Sequence, residues 1–279
     1  MKLTINHLTH YRYDEEVKFS TQYLRLTPQS SARQHIREWK LTLPTAAVAT
    51  TDAYGNLMHV LTLDSPHHDI LIHAQGVVEI AENIEESQES DDGLSPLVFL
   101  RNTELTQADD AIRDFARRYY READPLGSLD TLMAELRLKM PYTPGATQVQ
   151  DTACVAFAKG KGVCQDHTHV FLACCRSLRI PARYVSGYVY SRDTTHVAMH
   201  AWAEVWFDER WHSFDITNNT RRLNQHLRLA IGMDYLDACP VRGSRLGGGC
   251  EEMFSQAAVS LFERQPFERQ QQVQQQQQQ

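Results

Sequence analysis

The stretch GVCQDHTHVFLACCRSLRIPARYVSGYVY, residues 162–190, decides the architecture. Cys164, His167, Phe171, Cys174, Cys175 and Leu178 share one stripe at helical spacing, and Pro181 bounds the run. The spacing predicts a helix of about four turns that starts at or beside Cys164. Past the proline, Arg183 to Tyr190 turns aromatic and β-branched and reads as a strand. Gly160-Lys161-Gly162 precedes the helix, and glycines there let the backbone turn tightly while leaving the next side chain and N–H open to a ligand.

Working outward, His200 to Phe207 and Trp211 to Asp215 read as two further strands. On period-2 geometry His200, Trp202, Glu204 and Trp206 share a face. If Asp208-Glu209 is a two-residue turn, Phe207 faces Arg210, Trp202 faces Asp215, and Asp215 becomes a diagonal neighbour of His200. A three-residue turn breaks this arrangement. Upstream, Ala108, Ile112, Phe115 and Tyr119 behind Thr106 predict one amphipathic helix, and Leu129, Leu132, Met133, Leu136 and Met140 behind Ser128 a second. A third, short helix is expected from Thr152 to Lys159, with Gly160 as its C-terminal glycine.

The first 95 residues read differently. KLTIN, IREWKLTL, NLMHVLTL and DILIHAQGVVEI alternate apolar and polar residues between turn-formers such as Asp52-Ala53-Tyr54-Gly55-Asn56, which predicts an antiparallel β domain. Glu82 to Gly93 is acidic, lacks periodic apolar residues and reads as a linker. The expected division is therefore a β domain over 1–95, a catalytic unit with a C-terminal extension over 96–268, and a disordered glutamine-rich tail over 269–279. The sequence after Asn218 reads as irregular, with Gly247-Gly248-Gly249 in a loop.

Composition bounds the function. The 279 residues are 42% hydrophobic and 23% charged, an ordinary globular mix for two modest domains. The net charge of −7 advertises no basic surface, so nucleic acid is not an expected partner. No run approaches the ~18 apolar residues of a membrane span, and MKLTINHLTHYRYDEEV lacks the apolar core of a signal peptide, so no membrane partner and a cytoplasmic location are expected. Six cysteines in such a chain read as free thiols rather than a disulfide scaffold.

A thiol acts as a nucleophile when it is a thiolate, and helix N-termini favour that form. Cys164 occupies such a place; Cys154, Cys174, Cys175, Cys239 and Cys250 read as small buried residues. A cysteine nucleophile needs a base within hydrogen-bond reach and a third group to orient it, and His200 and Asp215, 36 and 51 residues on, supply both. Asp166 reads as an acidic residue favourable to the helix dipole. The backbone N–H of Cys164 is the natural first oxyanion donor, with Tyr142, Gln148 and Gln150 as open candidates for the second. A metal site from Cys164, His167 and His169 fails, because His169 lies about 140° round the helix from Cys164; one histidine is expected inward and the other outward. No cofactor is expected.

The stretch 162–190, the later HAWAEVWF and WHSFDITNN resemble the three blocks of the bacterial transglutaminase-like cysteine enzymes, members of the papain-like superfamily. The resemblance is close from about Tyr142 to Asn219, looser in the β-rich N-terminal region, and recognisable again in IGMDYLDACPVRGSRLGGG. It implies an α+β fold in which an N-terminal antiparallel β domain precedes a catalytic domain with the cysteine-bearing helix packed on an antiparallel sheet. It also implies Cys164 as nucleophile, His200 as general base and acid, and Asp215 as orienting carboxylate, in agreement with the reading of the residues. Ile216 stands where the family has proline and Met233 where it has arginine.

The expected activity is thiol-dependent acyl transfer on a peptide or protein amide through a thioester. Water as acceptor makes a peptidase or amidase, and an amine makes a transglutaminase-type acyltransferase. The alternative is a non-catalytic peptide-binding module that keeps the fold for its groove. A thiol redox protein is disfavoured, since Cys174 and Cys175 are adjacent and about 100° apart on the helix.

Overall fold

The computed structural model describes residues 1–81, 94–191 and 199–262. The expected linker Glu82 to Gly93 and the tail 269–279 lie outside the described residues. The first strand, β1 (Lys2–Leu24), alternates so that Leu3, Ile5, His7 and Thr9 all point to the buried face. It is flanked by β2 (Gln34–Thr42), β3 (Val48–Thr51), β4 (Leu57–Leu63) and β5 (His67–Ile80) in the order β2-β5-β1-β4-β3, all antiparallel. The four strands expected from sequence are present. β3 is one the pattern does not announce, because its four residues are exposed and bury nothing.

The second unit begins with α1 (Asp110–Tyr119), α2 (Pro125–Lys139), α3 (Ala153–Lys159) and α4 (Cys164–Ser177). Their starts depart from expectation where an aspartate outcompetes a hydroxyl as cap. Asp109 Oδ1 accepts from Ile112 N at 2.9 Å, while Thr106 closes a preceding 3-10 turn. Asp124 caps α2, and Ser128 sits a turn inside it, its Oγ accepting from Arg121 N at 2.9 Å. At α3 the expected ends hold: Thr152 caps it and Gly160 ends it at φ 62°.

A four-stranded antiparallel sheet follows, from β6 (Ala182–Val189), β7 (His200–Phe207), β8 (Arg210–Phe214) and β9 (His226–Gly232), in the order β8-β7-β6-β9. α4 is packed on it, against Ala201, Ala203 and Val205 of β7, and α1, α2 and α3 contribute to the same core through Ile112, Leu132 and Phe157. Every residue of α4 from Asp166 to Arg176 is buried. This corrects the expectation that one of its two histidines faces outward: His167 and His169 are both fully buried, because the helix has protein on all sides.

The chain then forms the short α5 (Tyr235–Ala238), β10 (Val241–Gly247) and β11 (Glu251–Leu261). These last two strands overturn the irregular reading after Asn218, and the C-terminal extension expected within 96–268 joins the N-terminal sheet. They lie antiparallel to β1, running from Leu24↔Val241 to Val17↔Gly247 and from Tyr13↔Glu251 to Leu3↔Leu261. The physical reason is the open hydrogen-bonding edge of β1, which needs a partner along its length. Val259 and Ala257 fill the rows of Ile5 and His7. Gly247, Gly248 and Gly249, at φ 84°, 94° and 57°, carry the chain between the two strands in the expected loop.

The N-terminal sheet also covers the outer edge of β9 with side-chain amides. Asn56 exchanges two bonds of 2.8 Å with the backbone of Ile231, and Gln34 accepts from Arg228 N at 2.8 Å and donates to Arg228 O at 2.9 Å. Each amide does what a neighbouring strand would do, which fixes β9 in place.

Candidate active site

Cys164 is the first residue of α4, half-buried, with Sγ 4.0 Å from Met199 O. The turn before it is tied down twice. A bridge pairs Tyr142 with Gly162, and Thr143 N donates to Gly162 O at 2.8 Å. Buried Asp166 accepts from Val163 N at 2.8 Å and from Thr147 Oγ1 at 2.6 Å. A side chain at position 162 would collide with the Asp166 carboxyl, so glycine is required there. Asp166 thus serves the helix N-terminus, as expected, by capping it.

His200 starts β7, and the two-residue turn Asp208-Glu209 follows that strand with φ 50° and 60°. Both values belong to the tight hairpin turn whose twist matches the strands, usually built from Asn-Gly. Phe207 pairs with Arg210 and Ala203 with Phe214, which is the register the turn length predicts. Asp215 therefore arrives beside His200, and His200 Nε2 donates to Asp215 Oδ2 at 2.8 Å. The other ring nitrogen is left free to serve the Cys164 thiol, which is near enough to act on the charge of His200. The structure brings Cys164, His200 and Asp215 into one cluster.

The electrostatics are strongly polarised. Burial alone lowers the His200 pKa, but the Asp215 charge, its hydrogen bond and the nearby Cys164 outweigh burial and push it up to about 10. Burial would raise Asp215, yet His200 and a second histidine hold this fully buried carboxyl well below the usual range. That second histidine is His226, at the start of β9, whose Nε2 lies 2.8 Å from Asp215 Oδ2. Asn218 adds its backbone N to Oδ1 at 3.1 Å and its Nδ2 to Oδ2 at 2.6 Å. Sequence reasoning missed both residues. Leu227, Leu229 and Ile231 alternate with Arg228 and Ala230, a period-2 signal that could have found the strand, but nothing local directs its first residue to Asp215.

Ligand atoms of His200, Asp215 and His226 all lie within 4.8 Å of one another, the spacing of a three-ligand metal set. Asp215 Oδ2, however, already accepts hydrogen bonds from both rings and from Asn218, so the set closes on itself as a hydrogen-bond network. Cys164, His167 and His169 do not converge either. His167 is bonded to Met140 O at 2.8 Å and Thr217 Oγ1 at 2.9 Å, and His169 Nε2 accepts from Tyr235 N at 3.1 Å.

The three candidates for a second oxyanion donor, Tyr142, Gln148 and Gln150, are all exposed. Tyr142 is the one beside the thiol: burial first, and Cys164 second, push its hydroxyl pKa up. Cys174 and Cys175 are fully buried, and burial pushes Cys175 up to about 12. The six cysteines are free, and against expectation Cys250 is exposed and Cys154 only half-buried. Ile216 is buried in the core under α4, and Met233 offers its carbonyl to the buried Arg176 guanidinium at 2.6 Å. Neither departure from the family pattern touches the cluster's polar atoms.

Known proteins resemble this chain in sequence and in fold. The chain is 28% identical over 275 residues to an uncharacterized protein of Mycobacterium leprae, covering 90% of this chain and 96% of that one. It is also 28% identical over 269 residues to an uncharacterized protein of Mycobacterium tuberculosis, covering 86% of each. The crystal structure of a "Putative Cysteine Protease" from Cytophaga hutchinsonii superimposes with a TM-score of 0.75 at 21% identity, over 96% of this chain and 93% of that one, and so shares the fold. Residues 3–79 match the bacterial transglutaminase-like N-terminal region, and residues 113–216, which contain Cys164, His200 and Asp215, match the transglutaminase-like superfamily. By fold and by both matched regions, the chain belongs to the transglutaminase-like superfamily.

Proposed function

We propose that this protein is a thiol-dependent acyl-transfer enzyme acting on amide bonds of a peptide or protein. The observation that carries the reading is the position of His200, bonded to buried Asp215 at 2.8 Å and within electrostatic reach of Cys164 at a helix N-terminus. His200 takes the proton of the Cys164 thiol, which gives the nucleophile. The thiolate attacks the amide carbonyl, and the backbone N–H of Cys164 is aimed at the oxyanion that develops. As the C–N bond breaks, the His200 proton passes to the leaving amine, leaving a thioester. His200 then takes a proton from water or from an incoming amine, whose attack on the thioester returns the thiol. Asp215 keeps the ring oriented and stabilises its charge throughout.

The name of the Cytophaga protein supports the hydrolytic outcome, and the family name supports amine transfer. Mass spectrometry after incubation with a glutamine-containing peptide library, with and without a primary amine, separates them. Backbone cleavage marks a peptidase, loss of ammonia an amidase, and amine incorporation a transglutaminase. Peptide retention with no mass change in any arm replaces the enzyme with a peptide-binding module.

A further inference from the structure

The mechanism above uses one imidazole on Asp215, and the molecule supplies two. His226 lies beyond the end of the matched superfamily region at 216, on a strand whose place is set by long-range contacts. Val189 pairs with His226, and Gly187 lets the Leu227 carbonyl and the Trp202 indole approach β6 where a side chain would collide with both. The His226 ring stands edge-on to Trp202 at 5.2 Å and 5.6 Å from the His200 ring. Its Nε2 donates to the same oxygen, Asp215 Oδ2, that His200 uses. Among the described residues, its buried Nδ1 has no partner.

That last feature fixes the ring's chemistry. A proton on Nδ1 would be a buried, unbonded N–H, so the proton of His226 belongs on Nε2 and the ring stays neutral. We propose that His226 is a positioning residue: as a permanent neutral donor it holds Asp215 Oδ2 in place and draws off part of the charge that Asp215 directs at His200. Without it, Asp215 would grip the imidazolium more tightly, and His200 would release its proton to the leaving amine less readily.

The surrounding charges agree. His226 faces Asp215, His200 and Arg33, and burial lowers its pKa despite the carboxylate. His200 faces Asp215 and Cys164, and Asp215 also acts on His167 from α4. Charge is thus placed on His200 and withheld from His226.

The inference rests on the acyl-transfer reading, and one set of measurements separates the two. The rate of iodoacetamide alkylation at Cys164 is followed against pH in the full chain, its His200→Ala variant, His226→Leu and His226→Gln, beside ring-nitrogen NMR of the unaltered protein. In the unaltered protein the profile carries a step where His200 loses its proton. His226→Leu is expected to move that step up by about one pH unit, and His226→Gln, whose amide N–H can stand in for Nε2–H, to restore it. NMR is expected to find His226 neutral and protonated at Nε2 throughout. A His226→Leu profile that superimposes on the unaltered one, or a His226 ring that takes up charge together with His200, overturns the inference and leaves the acyl-transfer reading standing. Should His226→Leu fail to fold, the NMR result decides. If Cys164 reacts no faster than the other cysteines and is indifferent to His200→Ala, the acyl-transfer reading fails first.

Discussion

The two ends of α4 carry the same residue type in opposite environments. At the N-terminal end Cys164 is half-buried, follows a glycine-flanked turn, begins a helix and acts on the charge of an imidazole held by a carboxylate. Toward the C-terminal end Cys174 and Cys175 are fully buried among apolar side chains, and burial drives the Cys175 thiol up to about 12 and the Cys174 thiol up as well. The helix stripe that reveals all three does not distinguish them. Reactivity comes from where a helix begins and what faces it, and packing alone makes a cysteine inert.

The sharpest break between the two ends is catalytic. Cys164→Ala is expected to lower turnover on any identified substrate by roughly three orders of magnitude or more, with the melting temperature little changed, and His200→Ala to do nearly the same. Asp215→Ala should be milder, since the carboxylate acts through the ring. Wild-type turnover in Cys164→Ala would falsify the proposed activity.

Alkylation tests the same contrast without a substrate. At about pH 6, where an ordinary thiol with pKa near ~8.5 is protonated, limiting iodoacetamide should label Cys164 first and leave Cys174 and Cys175 unlabelled, with slower labelling of Cys164 in His200→Ala. Peptide mapping reads the result. Even labelling across the helix would erase the comparison.

Stability against pH sharpens it further. His200 is raised from 6.5 to about 10, so its contribution is whole below pH 6.5 and is lost as pH rises through 10. Cys175, raised from 9.0 to about 12, has its contribution whole below pH 9 and loses it toward 12. Denaturant midpoints should therefore fall on the alkaline side in two stretches, the first absent in His200→Ala and the second reduced in Cys175→Ala. On the acid side His169, lowered by burial from 6.5 to about 3, has its contribution whole above pH 6.5 and loses it as pH falls through 3. A midpoint that stays flat from pH 7 to 10 would contradict the charged state of His200.

The smallest effects are mechanical. Cys174→Ala should cost about 1 kcal/mol for the lost buried sulfur, measured by denaturant unfolding, and leave Cys164 alkylation unchanged. Asp166→Ala removes the cap beneath Cys164 and should cost ~1 kcal/mol, with a modest slowing of alkylation as the helix start loosens. If the Cys174 change altered alkylation more than the Asp166 change, the two ends of α4 would be coupled in a way their packing does not suggest.

Much of this was legible in the residues themselves, because it depends on short-range geometry. The apolar stripe and Pro181 mark α4; the pair Asp208-Glu209 is the right length for a tight turn, and turn length alone carries register from Phe207 and Arg210 to His200 and Asp215. The tertiary structure decided what covers each face. Both sides of α4 are buried, so His169 lies inside, and the edge of β1 is paired by residues 241–261 from the far end of the chain. His226 reaches Asp215 because β6 and the amides of Gln34 and Asn56 hold β9 from both sides. Hydrophobic period reports which face of an element seeks cover, and turn length reports the register of neighbours joined by that turn. Neither carries information about which distant segment meets that face, since that choice is made by the shape and hydrogen-bonding edges of the assembled sheets.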